Sequence, residues 1–159
     1  MIKITFPDGT VRDYKAGITG LELAKDISPA LAREVLSVTV NGEVTDLTRP
    51  INSDASIRLH KWDDEEGKHT FWHSSAHLMA EAIEQLWPGT KFGIGPAIEN
   101  GFYYDIEPGN GHELTDDDLI LIENKMKELA SRNQPIERRE VSKQEAIAYF
   151  TKKGDEYKL

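Results

Sequence analysis

The sequence predicts an α+β chain in two parts, residues 1–61 and 62–159. Three observations carry this. Short alternating apolar runs pair around Asp8-Gly9 and Asn41-Gly42, helix caps recur at Thr19, Ser28, Thr115 and Ser142, and a polar stretch from Lys61 to Lys68 interrupts the pattern between the halves. At 38% hydrophobic and 30% charged, the composition is that of a globular chain rather than a disordered one.

Taking the elements in order, Ile2, Ile4 and Phe6 alternate, Asp8-Gly9 offers the left-handed turn that a tight hairpin needs, and Val11 to Tyr14 return. Thr19 and Glu22 have capping-box spacing, with Ile18 and Leu23 set as a hydrophobic staple. Ser28-Pro29 reads as the cap and first residue of a second short helix. Val35 to Val40, the Asn41-Gly42 turn and Glu43 to Leu47 form another hairpin, and Ile57 with Leu59 marks a last strand. Strand, strand, helix, strand, strand is the order of a ubiquitin-like β-grasp. By itself such a module implies no chemistry, and its one histidine, His60, reads as an exposed residue at a strand end.

In the second part Thr70 is placed to cap a helix from Phe71 to Leu86, whose Trp72, Ala76, Met79, Ile83 and Leu86 recur at helical spacing as a buried stripe. Trp87-Pro88-Gly89 ends it. Phe92 to Ile98 and Gly101 to Ile106 then read as bent strands broken by glycine and proline. Thr115 with Asp116, Asp117 and Asp118 opens a further helix, buried through Leu119, Ile122, Met126 and Leu129. Pro135 stops it, Ile136 to Val141 reads as a strand, and Ser142 with Glu145 caps a helix that Gly154 ends. Asp155 to Leu159 reads as the beginning of another strand.

Charge and composition narrow the function. The net charge is −9, yet residues 1–61 carry 8 basic and 8 acidic groups, and residues 62–131 carry 4 against 15. Such a surface disfavours non-specific binding to a phosphate backbone, which depends on many Lys and Arg contacts. Residues 132–159 turn basic, with 7 against 5. No apolar run approaches the roughly 18 residues of a membrane span, and nothing at Met1 reads as a leader, so a cytoplasmic protein is expected. There is no cysteine, which excludes disulfides, thiolate ligands and a cysteine nucleophile from this stretch.

The chemistry-bearing pattern is His73-Ser-Ser-Ala-His77. Histidines four apart project from one side of a helix about one turn from each other and can act on one ligand. A metalloprotease helix needs glutamate directly after the first histidine, and Ser74 is there instead. Zinc, acid–base work and a structural role stay open, and zinc would draw on His69, His112 or a carboxylate for further ligands. Gly93-Ile94-Gly95-Pro96 and Gly101-Phe102-Tyr103-Tyr104-Asp105 form a second feature: the glycines permit close approach, Phe102 and Tyr103 read as core, and the Tyr104 hydroxyl beside Asp105 is the site candidate. Composition alone makes Lys158 a solvated surface lysine.

Taken together these residues are similar to a known arrangement. ITFPDGTVRDYKAGITGLELAKDISPALA with VNGEVTDLTRPI resembles the TGS domain of threonyl-tRNA synthetases, some GTPases and stringent-response enzymes. HTFWHSSAHLMAEAIEQLWPGTKFGIGPAIENGFYYD, and further on GDEYKL, resemble the start of the editing domain of bacterial-type threonyl-tRNA synthetases, which is related to that of alanyl-tRNA synthetases. The resemblance covers the chain from Met1 to Leu159. It implies a TGS domain over 1–61 and an incomplete α/β editing domain over 62–159, serving removal of serine wrongly esterified to threonine tRNA. His73 and His77 would hold the terminal adenosine and assist proton transfer, Lys158 would position the amino acid or water, and Tyr104, Asp105 and Gly95 would line the pocket.

The family's editing site adds a Cys-x-x-x-His motif that these residues lack, so the chain alone is expected to be inactive. No metal is expected in it. The resemblance assigns ATP, magnesium and one zinc ion to an aminoacylation core, and a homodimer to the intact enzyme, while this chain is expected to be mainly monomeric. A binding module with structural histidines and a free-standing zinc-dependent deacylase are the competing readings.

Overall fold

A computed structural model describes all residues, Met1–Leu159. They form two compact units, Met1–Trp72 and His73–Leu159.

In the first unit, β1 (Ile2–Thr5) and β2 (Val11–Tyr14) make an antiparallel hairpin around Gly9, whose φ of 84° suits glycine. A short strand β3 (Ile18–Thr19) leads into α1 (Gly20–Ile27). The capping box forms: Glu22 N–H donates to Thr19 Oγ1 at 3.3 Å, and Thr19 N–H donates back to the Glu22 carboxylate at 2.9 Å. Ser28 then caps α2 (Pro29–Glu34) through the Leu31 N–H at 3.0 Å. β4 (Ser37–Val40), β5 (Glu43–Thr45), β6 (Pro50–Ile51) and β7 (Ala55–His60) complete the unit. The main sheet runs β2-β1-β7-β4-β5, with β1 and β7 parallel, and β3 pairs separately with β6. Ile2, Ile4, Leu23, Val38, Ile51, Ala55 and Ile57 are buried together, so the alternating strand positions and α1 share one core.

Two expectations fail here. His60 is not exposed: it is 1% accessible, with Nε2 at 2.6 Å from Thr39 Oγ1 and Nδ1 at 3.6 Å from the Glu66 carboxylate. Sitting at a strand end did not expose it, because β4 lies alongside and the start of the next helix covers it. That helix, α3 (Glu65–Leu86), begins in the supposedly irregular polar stretch, not at Phe71. Asp64 starts it, accepting the Lys61 N–H on its carboxylate at 2.9 Å and the Lys68 N–H on its carbonyl at 2.9 Å. Gly67 lets this first turn lie on the chain before it, since a Cβ there would stand 1.9 Å from the Lys61 carbonyl oxygen. Trp62, Phe71 and Trp72 meet edge to face, with ring centroids 5.1 to 5.7 Å apart.

In the second unit, the remainder of α3 buries Ala76 and presents Met79, Ile83 and Leu86 to a core with Phe92, Ile106, Ile122 and Met126. Residues 91–107 form a bent ribbon. β8 (Lys91–Phe92) pairs with β11 (Ile106–Glu107) at one end, and β9 (Ala97–Ile98) with β10 (Gly101–Phe102) at the other. Between them Gly93 N–H donates to Asp105 O at 2.8 Å and Asp105 N–H to Ile94 O at 2.9 Å. Tyr103, expected in the core, is 65% exposed, because alternation along the ribbon turns Tyr104 inward instead.

A 3₁₀ turn (Gly109–Gly111) precedes α4 (Asp116–Ser131). The Asp118 carboxylate accepts the Thr115 N–H at 2.8 Å and faces His112 Nε2 at 2.9 Å, and the His112 ring stacks on Trp87 at 4.7 Å. Hydrogen bonding at Thr115 and His112 holds its carboxyl below the usual carboxylate range. This inward turn sets the buried stripe at Asp118, Ile122 and Leu129, and leaves Leu119, expected to be buried, 57% exposed. No strand forms over residues 136–141. Ile136 is 80% exposed, and no neighbouring strand in the unit supplies the hydrogen-bond partners that would hold that segment extended. Ser142 and Glu145 cap α5 (Lys143–Lys153), and Gly154, at φ 74°, ends it. Residues 155–159 do not form a strand either. The Asp155 carbonyl accepts the Lys158 N–H at 3.3 Å and winds Glu156–Lys158 into a 3₁₀ turn.

Candidate active site

Helical spacing brings His73 and His77 into direct contact. Their Nε2 atoms are 3.0 Å apart and the rings stand edge to face, centroids 4.6 Å apart. One nitrogen must donate and the other accept, so at least one ring is neutral and the pair holds a shared proton. Both residues are exposed, neither being sealed in the core. Partial burial, then the proximity of His73 and of Lys158, holds His77 below the ordinary histidine value.

Lys158 reaches this neighbourhood from the terminal turn. Its Nζ donates to the Gly93 carbonyl at 2.9 Å and lies 6.0 Å from the centroid of the Tyr104 ring. The turn is tied to the ribbon at two more points: the Tyr157 hydroxyl donates to the Glu107 carboxylate, and Glu156 lies 3.7 Å from the Lys91 ammonium. On the other side of α5, Lys153 pairs with Glu84 of α3 at 2.8 Å. Long side chains thus bring the last residues of the chain back to the ribbon and to α3.

Tyr104 is seated by its neighbours. Its ring meets Phe92 edge to face at 5.4 Å, and a Cβ on Gly95 would stand 2.7 Å from it. Gly95 therefore makes room for the tyrosine ring, which is a different use of glycine from direct approach of a ligand. Burial, and then the negative charge of Asp155, pushes the Tyr104 phenol upward, so it stays a neutral donor well into the alkaline range. Asp105 is exposed and joins the ribbon through its backbone bonds to Gly93 and Ile94.

Asp155 is the member that sequence reasoning missed. It is 4% exposed, and its Oδ1 is sealed from solvent without a hydrogen-bond partner. The available signal was Gly154: a left-handed glycine ending a helix folds the next residue back, and Asp155 N–H duly donates to Phe150 O at 3.1 Å.

No group of three or more His, Asp or Glu side chains has the geometry to hold an ion. His112, a further zinc ligand in the sequence reading, is engaged by Asp118 and Trp87. Nor is any helix long and apolar enough to cross a membrane.

The β-grasp unit defines the class first: residues 2–61 match the TGS domain family. Over its length the chain is similar to threonine–tRNA ligases. It is 61% identical over 159 residues to that of Porphyromonas gingivalis (strain ATCC 33277), 58% over 158 residues to that of Parabacteroides distasonis, and 57% over 159 residues to that of Cytophaga hutchinsonii. These alignments take in 99–100% of the chain and 24% of each relative, so the chain spans about a quarter of the length of the curated relatives it matches.

Proposed function

We propose that this chain is the proofreading region of a threonine–tRNA ligase, and that His73, His77, Tyr104 and Lys158 belong to a site that hydrolyses serine from mischarged threonine tRNA. The carrying observation is the 3.0 Å contact between the two histidines, which makes a proton-sharing pair, with the Lys158 ammonium close enough to disfavour a further charge on His77.

The need for such a site follows from physical chemistry. A pocket for threonine rejects larger side chains sterically, but serine differs by one methyl group, worth about 1–3 kcal/mol, so a second discrimination step is required. Hydrolysis adds water to the ester carbonyl. The neutral ring of the pair accepts the water proton as oxygen bonds to carbon, and a donor offsets charge on the carbonyl oxygen. When the carbon–oxygen bond to the ribose breaks, the pair returns the proton to the leaving hydroxyl, and serine and tRNA separate. Lys158 positions the amino acid or the water, and the Tyr104 hydroxyl lines the pocket as a donor. The pair supplies two imidazoles where zinc takes three or four protein ligands, so the residues present do not fit that metal.

The partner is the 3′-terminal adenosine of mischarged threonine tRNA. The ligase activity, with its ATP, magnesium and zinc, belongs to a longer protein, which is a cytoplasmic homodimer, whereas this chain alone is monomeric. The Cys-x-x-x-His motif that the resemblance adds to the site is absent here, and cooperating catalytic groups fail together, so these 159 residues alone turn over poorly. The test is deacylation of seryl-tRNA for threonine by this chain and by a protein of the relatives' full length, with His73→Ala and His77→Ala in the longer form. Strong activity in the short chain, or activity undiminished by both substitutions, rejects the assignment and leaves a binding role.

A further inference from the structure

We propose that Asp155 is a positioning residue of this site: its backbone anchors the turn that presents Lys158, and its buried carboxylate acts on Tyr104 of the ribbon. The role rests on the hydrolytic reading above.

The geometry is specific. Gly154 turns the chain back at the end of α5, so that Asp155 is locked through its own N–H to Phe150 O at 3.1 Å. Its carbonyl then takes the Lys158 N–H, which places the lysine three residues on, where its Nζ meets Gly93 O. The backbone of Asp155 alone could do this with any side chain. A carboxylate goes beyond that need, because a buried carboxylate oxygen left without a hydrogen bond carries a desolvation cost of about 1–3 kcal/mol or more. An unsatisfied group of this kind calls for a physical explanation.

Charge supplies it. The charges that act on the Tyr104 phenol are those of Asp155 and Lys153 at the end of α5, the Lys158 ammonium lies 6.0 Å from the ring centroid, and Phe92, Gly95 and Ile83 pack around the ring without charge. Lys153 favours phenolate and is itself held by Glu84. Asp155 opposes phenolate, reinforcing burial, so the hydroxyl keeps its proton while Lys158 lies over the ring. Without that carboxylate the cations would act on the phenol unopposed.

The experiment titrates Tyr104 in this 159-residue chain through its ultraviolet phenolate band, isolated by difference from Tyr104→Phe, with folding followed by circular dichroism. In Asp155→Asn the phenol titrates at lower pH than in the unaltered chain, and in Asp155→Glu, which keeps the charge, it returns toward the original position. An unmoved titration in Asp155→Asn overturns the proposal. So does equal displacement in both variants, or loss of folding in both, since each would assign Asp155 to packing alone. In a protein of the relatives' length, Asp155→Asn lowers kcat for seryl-tRNA more than it raises KM, and a change confined to KM counts against the proposal. The titration needs no substrate. A moved titration in a protein that never deacylates seryl-tRNA therefore upholds Asp155's influence on Tyr104 and rejects the hydrolytic reading alone.

Discussion

His73 and His77 share a hydrogen bond between their Nε2 atoms at 3.0 Å, an arrangement that both rings cannot keep if both are protonated.

The pH dependence follows from that contact. His77 in the folded chain lies below its ordinary value of 6.5, so between its folded value and 6.5 the unfolded chain binds more protons. Its contribution to stability is complete above 6.5 and falls away as the pH drops through that window. NMR titration should find His77 the more acidic relative to a free histidine, and Lys158→Met or His73→Ala should raise it by removing a neighbouring cation or potential cation. A His77 that titrates at or above the free value would contradict the geometry.

Gly95→Ala tests the seat of Tyr104. The added methyl would stand 2.7 Å from the ring, which cannot yield as a flexible side chain would. Overpacking of this kind costs about 1–3 kcal/mol. Urea unfolding should show the loss, and nuclear Overhauser contacts between Tyr104 and Phe92 should weaken.

Gly67→Ala probes the start of α3. A Cβ placed 1.9 Å from the Lys61 carbonyl must displace backbone, so the first helical turn unwinds and stability falls by on the order of 3 kcal/mol. Near-ultraviolet circular dichroism of the Trp62–Phe71–Trp72 cluster reports the change; an unaltered aromatic signal would show that the turn is not held as described.

Thr19→Ala removes the cap of α1 and should cost about 1 kcal/mol in the first unit. The imidazole signals of His73 and His77, which belong to the second unit, should stay where they were. Chemical denaturation and histidine NMR on one sample measure both outcomes.

Local chemistry made much of this chain legible. The hairpin turns at Gly9 and Asn41-Gly42, the boxes at Thr19–Glu22 and Ser142–Glu145, and the stop at Gly154 are set by short-range hydrogen bonds and φ preferences, and all of them form. The i, i+4 placement of His73 and His77 is of the same kind, because helical geometry alone puts their rings together. Errors came where a neighbour distant in sequence decides. Ile136 to Val141 has strand composition, but a strand exists only when another edge accepts its backbone, and no sequence window contains that edge. Burial of His60 depends on β4 and on Glu66 of a helix whose start was misplaced.

What the sequence by itself determined is therefore the elements bounded by local caps and turns, the likeness to threonine–tRNA ligases and the pairing of two histidines on one helix face. Tertiary structure alone decided how the other members join within the second unit. Lys158 lies 65 residues beyond Gly93 and reads as a surface lysine until the terminal turn delivers its ammonium to that carbonyl. Asp155 reads as one more acidic residue until α5 folds it inside. The physical reason is common to both: a side chain's solvation, and hence its charge and reach, is set by the groups that surround it in space, and these are separated along the chain.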